Sequence, residues 1–530
     1  MGHAHPEPML PSGQSSTFLA CLPSCFADRA WYHQHGRLIH PGLTRPDHMK
    51  ATPRGQHIRG NPNHTPRRRD APLLISSQQE TDMNNTPSDH STVEYCDVLV
   101  IGGGPAGSTA STLLARQQWS VIQLEKAHHP RFHIGESLLP MNLPVFENLN
   151  VMEEVRRLGV YKRGADFESD HERGYNVYEF ERALGKSPPH AFQVLRQEFD
   201  EMLFRHALTE GVDAREGSEV TQIQMRGDRD FRAEVHADHQ RTYSICARYV
   251  LDASGRDTFL ATKMKLKRKN TEHQSAAIFG HFRGAQYRTG QDAGNISIYS
   301  FEHGWMWMIP LRDGVMSVGA VCRPDYLKQR NGRTHDFLLE TLQKNPALFS
   351  RLEHAVLINN EVRVTGNYSY DSRALGGPGW MLIGDAFAFL DPVFSSGVYL
   401  AMSGAEQAAA VVDQSLRNPT REKFLQRQLE KRLRRGMRRF AFFIYRFNSP
   451  AMQHIFRYPH NIWNVEQGII SMLAGDLFDS RPVWWRLHFF RLIYVWTLLR
   501  TPMRSSLERR YRQAQARTTF TGGTTPVDPV

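Results

Sequence analysis

The chain has 530 residues, 40% of them hydrophobic and 22% charged, with a formal net charge of +11. That length accommodates two or three domains with a large core, and the composition excludes collagen-like and wholly disordered classes. Five scattered cysteines form neither a disulfide framework nor a Cys/His metal quartet, and no apolar run reaches the roughly 20 residues of a membrane span. A soluble cytoplasmic protein without a metal is expected.

In chain order, residues 1–90 are rich in Pro, His, Gly and Ser, lack periodicity and include the run Arg67–Arg69; they read as a disordered basic extension. From Tyr95, "YCDVLVIGGGPAGSTASTLLARQQWSVIQLEK" reads as strand, glycine turn, helix, strand. Gly102, Gly104 and Gly107 stand in GxGxxG spacing: the first for a tight turn, the second for close approach to a pyrophosphate, the third for helix–strand contact. Glu125, ending the second strand, stands where an acid meets a ribose. Arg196, in "VLRQEFDEMLFRHA", opens a predicted helix whose ordinary reading is a solvated surface.

Further along, "VLDASGRDTFLA" and "GWMLIGDAFAFLDPVFSSGVYLAMSGAEQAAAVV" each read as a buried strand running into a small-residue turn. Gly384 and Asp385 sit at the second turn, ahead of a long helix. Between them, "GWMWMIPL" is extended in pattern, which puts Trp305 and Trp307 on one face and Met306 and Met308 on the other. Taken alone, it is a core strand. The region after Ser403 reads as helices, basic and aromatic, packed over a pocket with charged outer faces. Its run Lys431–Arg439 lacks any nucleic-acid motif. No nucleic acid is expected as a partner, and neither is a membrane surface.

Three nucleotide-facing strand ends spread along the chain resemble the FAD-binding module of aromatic-hydroxylase-like flavoproteins. The implied fold is α/β: a Rossmann-like FAD module over 91–402, an inserted substrate-covering β-sheet (about 164–191 and 267–367), and a helical region over 403–530 ending in a flexible tail. No second GxGxxG marks a nicotinamide domain, so a separate flavin reductase is expected to supply reduced FAD.

The combination of GxGxxG with WxWxIP at Trp305–Pro310 resembles the flavin-dependent halogenases, over roughly Tyr95 to Asp479. "RFHIGESLLP" and "DPVFSSGV" are similar to the branch acting on phenols, pyrroles and carrier-tethered rings. The resemblance implies FAD, O2 and a halide as reactants, and hypohalous acid as the halogenating species. It makes Trp305 and Trp307 a wall that keeps organic substrate off the flavin. It makes Ser396 and Gly397 the halide-binding pair and Arg196 an FAD-contacting arginine. Lys162, in the family's K-x-G-A-x-F segment, becomes the residue that captures the hypohalous acid; composition alone would make it a surface lysine beside Arg163. Phe394 of the substrate pocket stands where tryptophan halogenases carry a glutamate, which implies a ring activated by its own hydroxyl or pyrrole nitrogen, free or bound to an acyl-carrier protein. The rivals are an FAD monooxygenase or oxidoreductase of the same fold, in which Lys162 has no use, and a non-catalytic flavin-binding adaptor.

Overall fold

The computed structural model describes residues 93–500, apart from 171–172, 271–272, 367–368, 460–462, 477 and 479. The extension 1–90 and the tail beyond 500 therefore lie outside the described residues.

Two large sheets organise the described chain. The first is built on Val93–Ile101, whose run Val98, Leu99, Val100 is wholly buried. Such a continuous apolar run fits a parallel strand covered on both faces. It lies parallel to Val121–Leu124 on one side and Arg241–Asp252 on the other, and Trp380–Leu382 runs parallel to the latter. The register pairs Ile101 with both Leu124 and Asp252, and Asp252 with Leu382. The carboxyl ends are thus level. The glycine turn, Ala253–Ser254 and Gly384–Asp385 all leave from one edge, the place where open α/β sheets bind ligands. Helices Pro105–Arg116, Arg196–Thr209 and Gly397–Arg417 are packed in this part of the molecule.

The second sheet is largely antiparallel. Its central strands, Ala276–Arg283, Val315–Cys322, Gly304–Pro310 and Ile296–Phe301, are hydrogen-bonded in that order, and Gly164–Glu168 joins Ile296–Phe301 in parallel. Alternation divides its residues as the sequence predicts. Trp305, Trp307 and Ile309 share one apolar cluster with Phe279, while Met306 and Met308 enter another with Phe337 and Leu338. Ala191–Val194 stands apart from this sheet, paired with Gly159–Lys162.

Four helices, Glu422–Ile444, Pro450–Arg457, Val465–Leu473 and Arg481–Arg500, follow the long helix. Phe443, Phe456, Ile470 and Phe490 pack into the tryptophan-bearing cluster. The expectation of charged outer faces fails at the last helix, where Trp485, Leu492, Trp496 and Leu499 are exposed. Aromatic and aliphatic residues outnumber the arginines in this helix, and those not packed against the cluster are left facing outward.

Candidate active site

The glycine turn is fixed by close packing. Gly102 has φ +114°, and a Cβ there would stand 2.3 Å from the Ala253 carbonyl oxygen. A Cβ on Gly107 would lie 2.0 Å from the Gly102 carbonyl oxygen. Neither position admits another residue without moving backbone. Gly104 differs: its nearest neighbour is Arg131 Nη2 at 3.6 Å, and the space before it is a cavity. Beyond the turn, the Glu125 carboxylate accepts from the backbone N–H of Gly103 at 2.8 Å and of Ala127 at 3.0 Å, and from Arg131 Nη2 at 3.1 Å. That bonding holds an acid at the end of its strand, facing the same space.

The cavity measures about 990 Å³, room for a dinucleotide-sized ligand. It runs from Glu125 and Lys126, past Gly104, Arg196 and Asp385, to Trp305, Trp307 and Gly397. Lys126, next to Glu125 in the chain, is paired with Asp257 at 2.6 Å. Residues predicted from four separate stretches therefore meet in one space. Gly107, Gly384 and Ser396 do not line it themselves; they shape the turns whose neighbours do. Arg196 begins its helix as predicted but is buried rather than solvated. It binds Asp200 through Nε at 2.7 Å and Nη2 at 2.9 Å, and donates to the Ile134 carbonyl at 2.8 Å. Burial alone would raise the Asp200 carboxyl, but the Arg196 guanidinium holds it below the usual carboxylate range. Burial pushes the Asp385 carboxyl the other way, up to about 6.

The tryptophans form a wall. Both are 4% exposed, with ring centroids 5.7 Å apart at 47°, and Trp307 Nε1 donates to Ser317 Oγ at 3.2 Å. That bond satisfies the only polar atom of the indole and fixes the ring. Phe394, expected in the substrate pocket, does not line this cavity. Its ring meets Phe447 edge-on at 5.6 Å and Phe456 at 6.4 Å, within the cluster that also holds the indoles.

Lys162 is 1% exposed, which removes the reading of it as a surface lysine. It ends the short strand Gly159–Lys162, and its Nζ donates to Ser137 Oγ and to the Leu138 carbonyl oxygen, each at 2.9 Å. The Phe180 ring centroid is 5.2 Å away. No carboxylate bonds it, and burial lowers its pKa to about 7. Ser137 itself lines the cavity, so the amine sits one side chain behind the cavity lining.

Two further groups had no individual sequence signal. Arg131 bridges Glu125 and Asp200 (3.4 Å) and keeps a buried Nε without a partner. Glu136, 1% exposed, lines the cavity with one oxygen unpartnered, while its other oxygen meets His281 Nε2 at 2.8 Å. Burial pulls the His281 imidazole down, and the Glu136 carboxylate outweighs it, holding it above its ordinary value. Both acid and arginine lie in "RFHIGESLLP", but His281 is 145 residues from Glu136 and only folding joins them.

The residues present fit a flavin dinucleotide. Gly104 and Gly397 open onto the cavity with nothing crowding the place of a side chain, and the partnerless Arg131 Nε and Glu136 oxygen offer a donor and an acceptor. Among the described residues no cluster of three His, Cys, Asp or Glu side chains suits a metal ion.

Comparison with known proteins agrees with this geometry. Residues 95–442 match the family model described as an FAD binding domain. The chain is 38% identical over 320 residues to a tryptophan 2-halogenase of Chondromyces crocatus, covering 59% of this chain and 60% of that protein. It thus spans less than two thirds of that relative. It is 34% identical over 344 residues to a flavin-dependent halogenase of Armillaria mellea, covering 61% of this chain and 68% of that one. Among solved structures, a flavoprotein/dehydrogenase from Cytophaga hutchinsonii superposes with a TM-score of 0.70 at 25% identity, over 77% of this chain and 99% of that one. A myxobacterial chondrochloren halogenase superposes with a TM-score of 0.64 at 28% identity, over 76% and 97%.

Proposed function

We propose that this chain, which belongs to the flavin-dependent halogenases and carries their FAD-binding domain, uses reduced FAD, O2 and chloride or bromide to halogenate an electron-rich ring. The flavin, when bound and reduced, supplies with O2 the oxidising equivalent that turns halide into hypohalous acid. Everything else falls to the chain. The glycine turn and Glu125 hold the dinucleotide, with the pyrophosphate before the first turn of Pro105–Arg116, whose unpaired N–H groups favour an anion. Asp385 takes a ribityl hydroxyl. The halide lies against the start of Gly397–Arg417, where the absence of a side chain at Gly397 leaves the first backbone N–H groups open to it.

The observation that carries this reading is Lys162. A lysine buried without a carboxylate is costly, on the order of 4 kcal/mol at neutral pH for a pKa lowered from 10.5 to about 7. Such a cost is retained where chemistry needs it. As a neutral amine, Lys162 spends two N–H bonds on Ser137 and Leu138 and keeps a lone pair for an electrophilic halogen. As an ammonium, it has a third N–H for a hydrogen bond to hypohalous acid. A pKa of about 7 makes both forms available.

The wall of Trp305 and Trp307 keeps the ring off the flavin, so halide and not substrate is oxidised. With Phe394 in place of a carboxylate, the ring must supply its own activation; phenols and pyrroles do, free or on a carrier protein. A separate reductase delivers the reduced flavin, and the protein works in the cytoplasm. An FAD monooxygenase or oxidoreductase of the same fold is the second reading, and the superposition on the Cytophaga flavoprotein/dehydrogenase fits its oxidoreductase form; it leaves Lys162 without a task. Mass spectrometry separates the two. Protein, FAD, a flavin reductase, NADH and bromide, incubated with phenols and pyrroles free and carrier-bound, give a bromine isotope doublet on one reading. A gain of oxygen alone sinks the halogenase reading.

A further inference from the structure

The last described helix, Arg481–Arg500, has two apolar faces. Val483, Leu487, Phe490 and Tyr494 recur at helical spacing and are buried against the tryptophan-bearing cluster. On the opposite side, Trp485, Leu492, Trp496 and Leu499 recur at the same spacing and are 69%, 65%, 55% and 72% exposed. Val495 and Trp484, also exposed, flank them, and exposed Trp463 extends the patch, its ring 4.5 Å from Phe489. From Trp484 to Leu499 the stripe runs about 22 Å at 1.5 Å per residue. A surface helix of a water-facing protein turns mainly charged residues outward; here Arg481 is exposed, but the outward stripe is apolar. Exposed apolar patches of this extent mark interaction sites.

Charge selects the occupant. Arg481, Arg486, Arg491 and Arg500 are the helix's charged residues, and it has no acid. Between Arg481 and Arg517 the sequence holds nine arginines and one acid, Glu508. A second copy seated across this face would set like charges opposite one another, with no acid on either helix to answer them. An anionic bilayer surface answers both features. Indoles settle at the boundary between headgroups and acyl chains, leucine and valine enter it, and arginines meet phosphates. Among the described residues no helix is long and apolar enough to cross a membrane, so this one lies in the interface plane. We propose that the outer face of Arg481–Arg500 docks the protein reversibly on an anionic lipid surface.

The test is vesicle binding by the full-length, FAD-loaded protein. Vesicles of phosphatidylcholine alone, or doped with phosphatidylglycerol, are sedimented with it at low and high salt. A parallel set carries brominated acyl chains, which quench only indoles that reach them. The proposal predicts binding at least about tenfold tighter on the anionic vesicles, weakened by salt, with tryptophan quenching by the brominated chains. Leu492→Asp combined with Trp496→Asp, outside the flavin site, loses that binding while keeping bound flavin. Sedimentation without quenching overturns it, because that is adsorption by charge alone. So does absence of binding to either vesicle, a concentration-dependent dimer that the double variant abolishes, or capture of an acidic acyl-carrier protein without vesicle binding. Should the double variant misfold, quenching of the unaltered protein still decides.

Discussion

The two ends of the cavity are built on opposite plans. At the nucleotide end, the chain presents backbone: three level strand ends, glycines packed to 2.3 Å and 2.0 Å of a neighbouring carbonyl, and an acid held by two backbone N–H groups. At the chemical end it presents side chains: two indoles fixed in a strand and a lysine buried without a counter-ion. The first plan recognises a cofactor that many flavoproteins share. On the function proposed above, the second decides what the cofactor's oxidising power is spent on. Substitutions at the two ends should therefore fail differently, the first by losing flavin and the second by keeping flavin and losing halogen transfer.

The sharpest separation comes from Lys162→Met, which preserves the volume and removes the amine. Halogenated product should fall by about 10³-fold or more, the scale of losing a positioned catalytic group, with flavin absorbance unchanged on gel filtration. Gly107→Ala strikes the other end. Its Cβ meets the Gly102 carbonyl, and the affinity for FAD, read by fluorescence titration, should drop by about 100-fold, on the order of 3 kcal/mol. Retained flavin in that variant would break the division drawn here. Glu125→Gln keeps the hydrogen-bond geometry in part but removes a charge that Arg131 faces. A weakening of FAD by about tenfold is expected, again with normal chemistry at saturating cofactor. Trp307→Phe removes the bond to Ser317 and part of the wall; product analysis should show a rising share of oxygenated over halogenated ring, with turnover within about threefold of the parent, since the change leaves Lys162 intact.

Stability carries the same contrast. Lys162 has a folded pKa of about 7, below its unfolded value of 10.5. Between those values the unfolded chain binds more protons, so this group's destabilisation eases as pH rises from 7 towards 10.5 and is largest below 7. Thermal denaturation across that window should show the unaltered protein gaining on Lys162→Met as pH rises, with the variant the more stable at pH 7. A variant less stable at every pH would mean that the amine's hydrogen bonds outweigh its burial.

Sequence made the two ends legible to different depths. The nucleotide end is written in short range: GxGxxG, Glu125 and the Gly384–Asp385 turn depend on neighbours a few residues apart, and strand register then levels them. The period of two in "GWMWMIPL" likewise forecast which face each ring takes. What sequence could not carry was partnership across distance. Nothing local distinguishes Arg196 on a solvated helix from Arg196 bonded to Asp200 and Ile134, or a surface Lys162 from one sealed behind Ser137. The pairing of Glu136 with His281 exists only once the second sheet folds over the loop. The outer face of Arg481–Arg500 was misread for a related reason: aromatic and arginine residues alternate there, and only packing shows which of them were left facing out.

The most direct measurement is a single turnover of protein loaded with reduced FAD, given O2, bromide, a phenolic or pyrrolic substrate and a trap for free hypobromite, with Lys162→Met beside it. The account predicts brominated ring from the unaltered protein and, from the variant, oxidised bromide in the trap with no ring product. Ring bromination by the variant at the parental rate would contradict it, and would move the halogen-transfer step away from the buried amine.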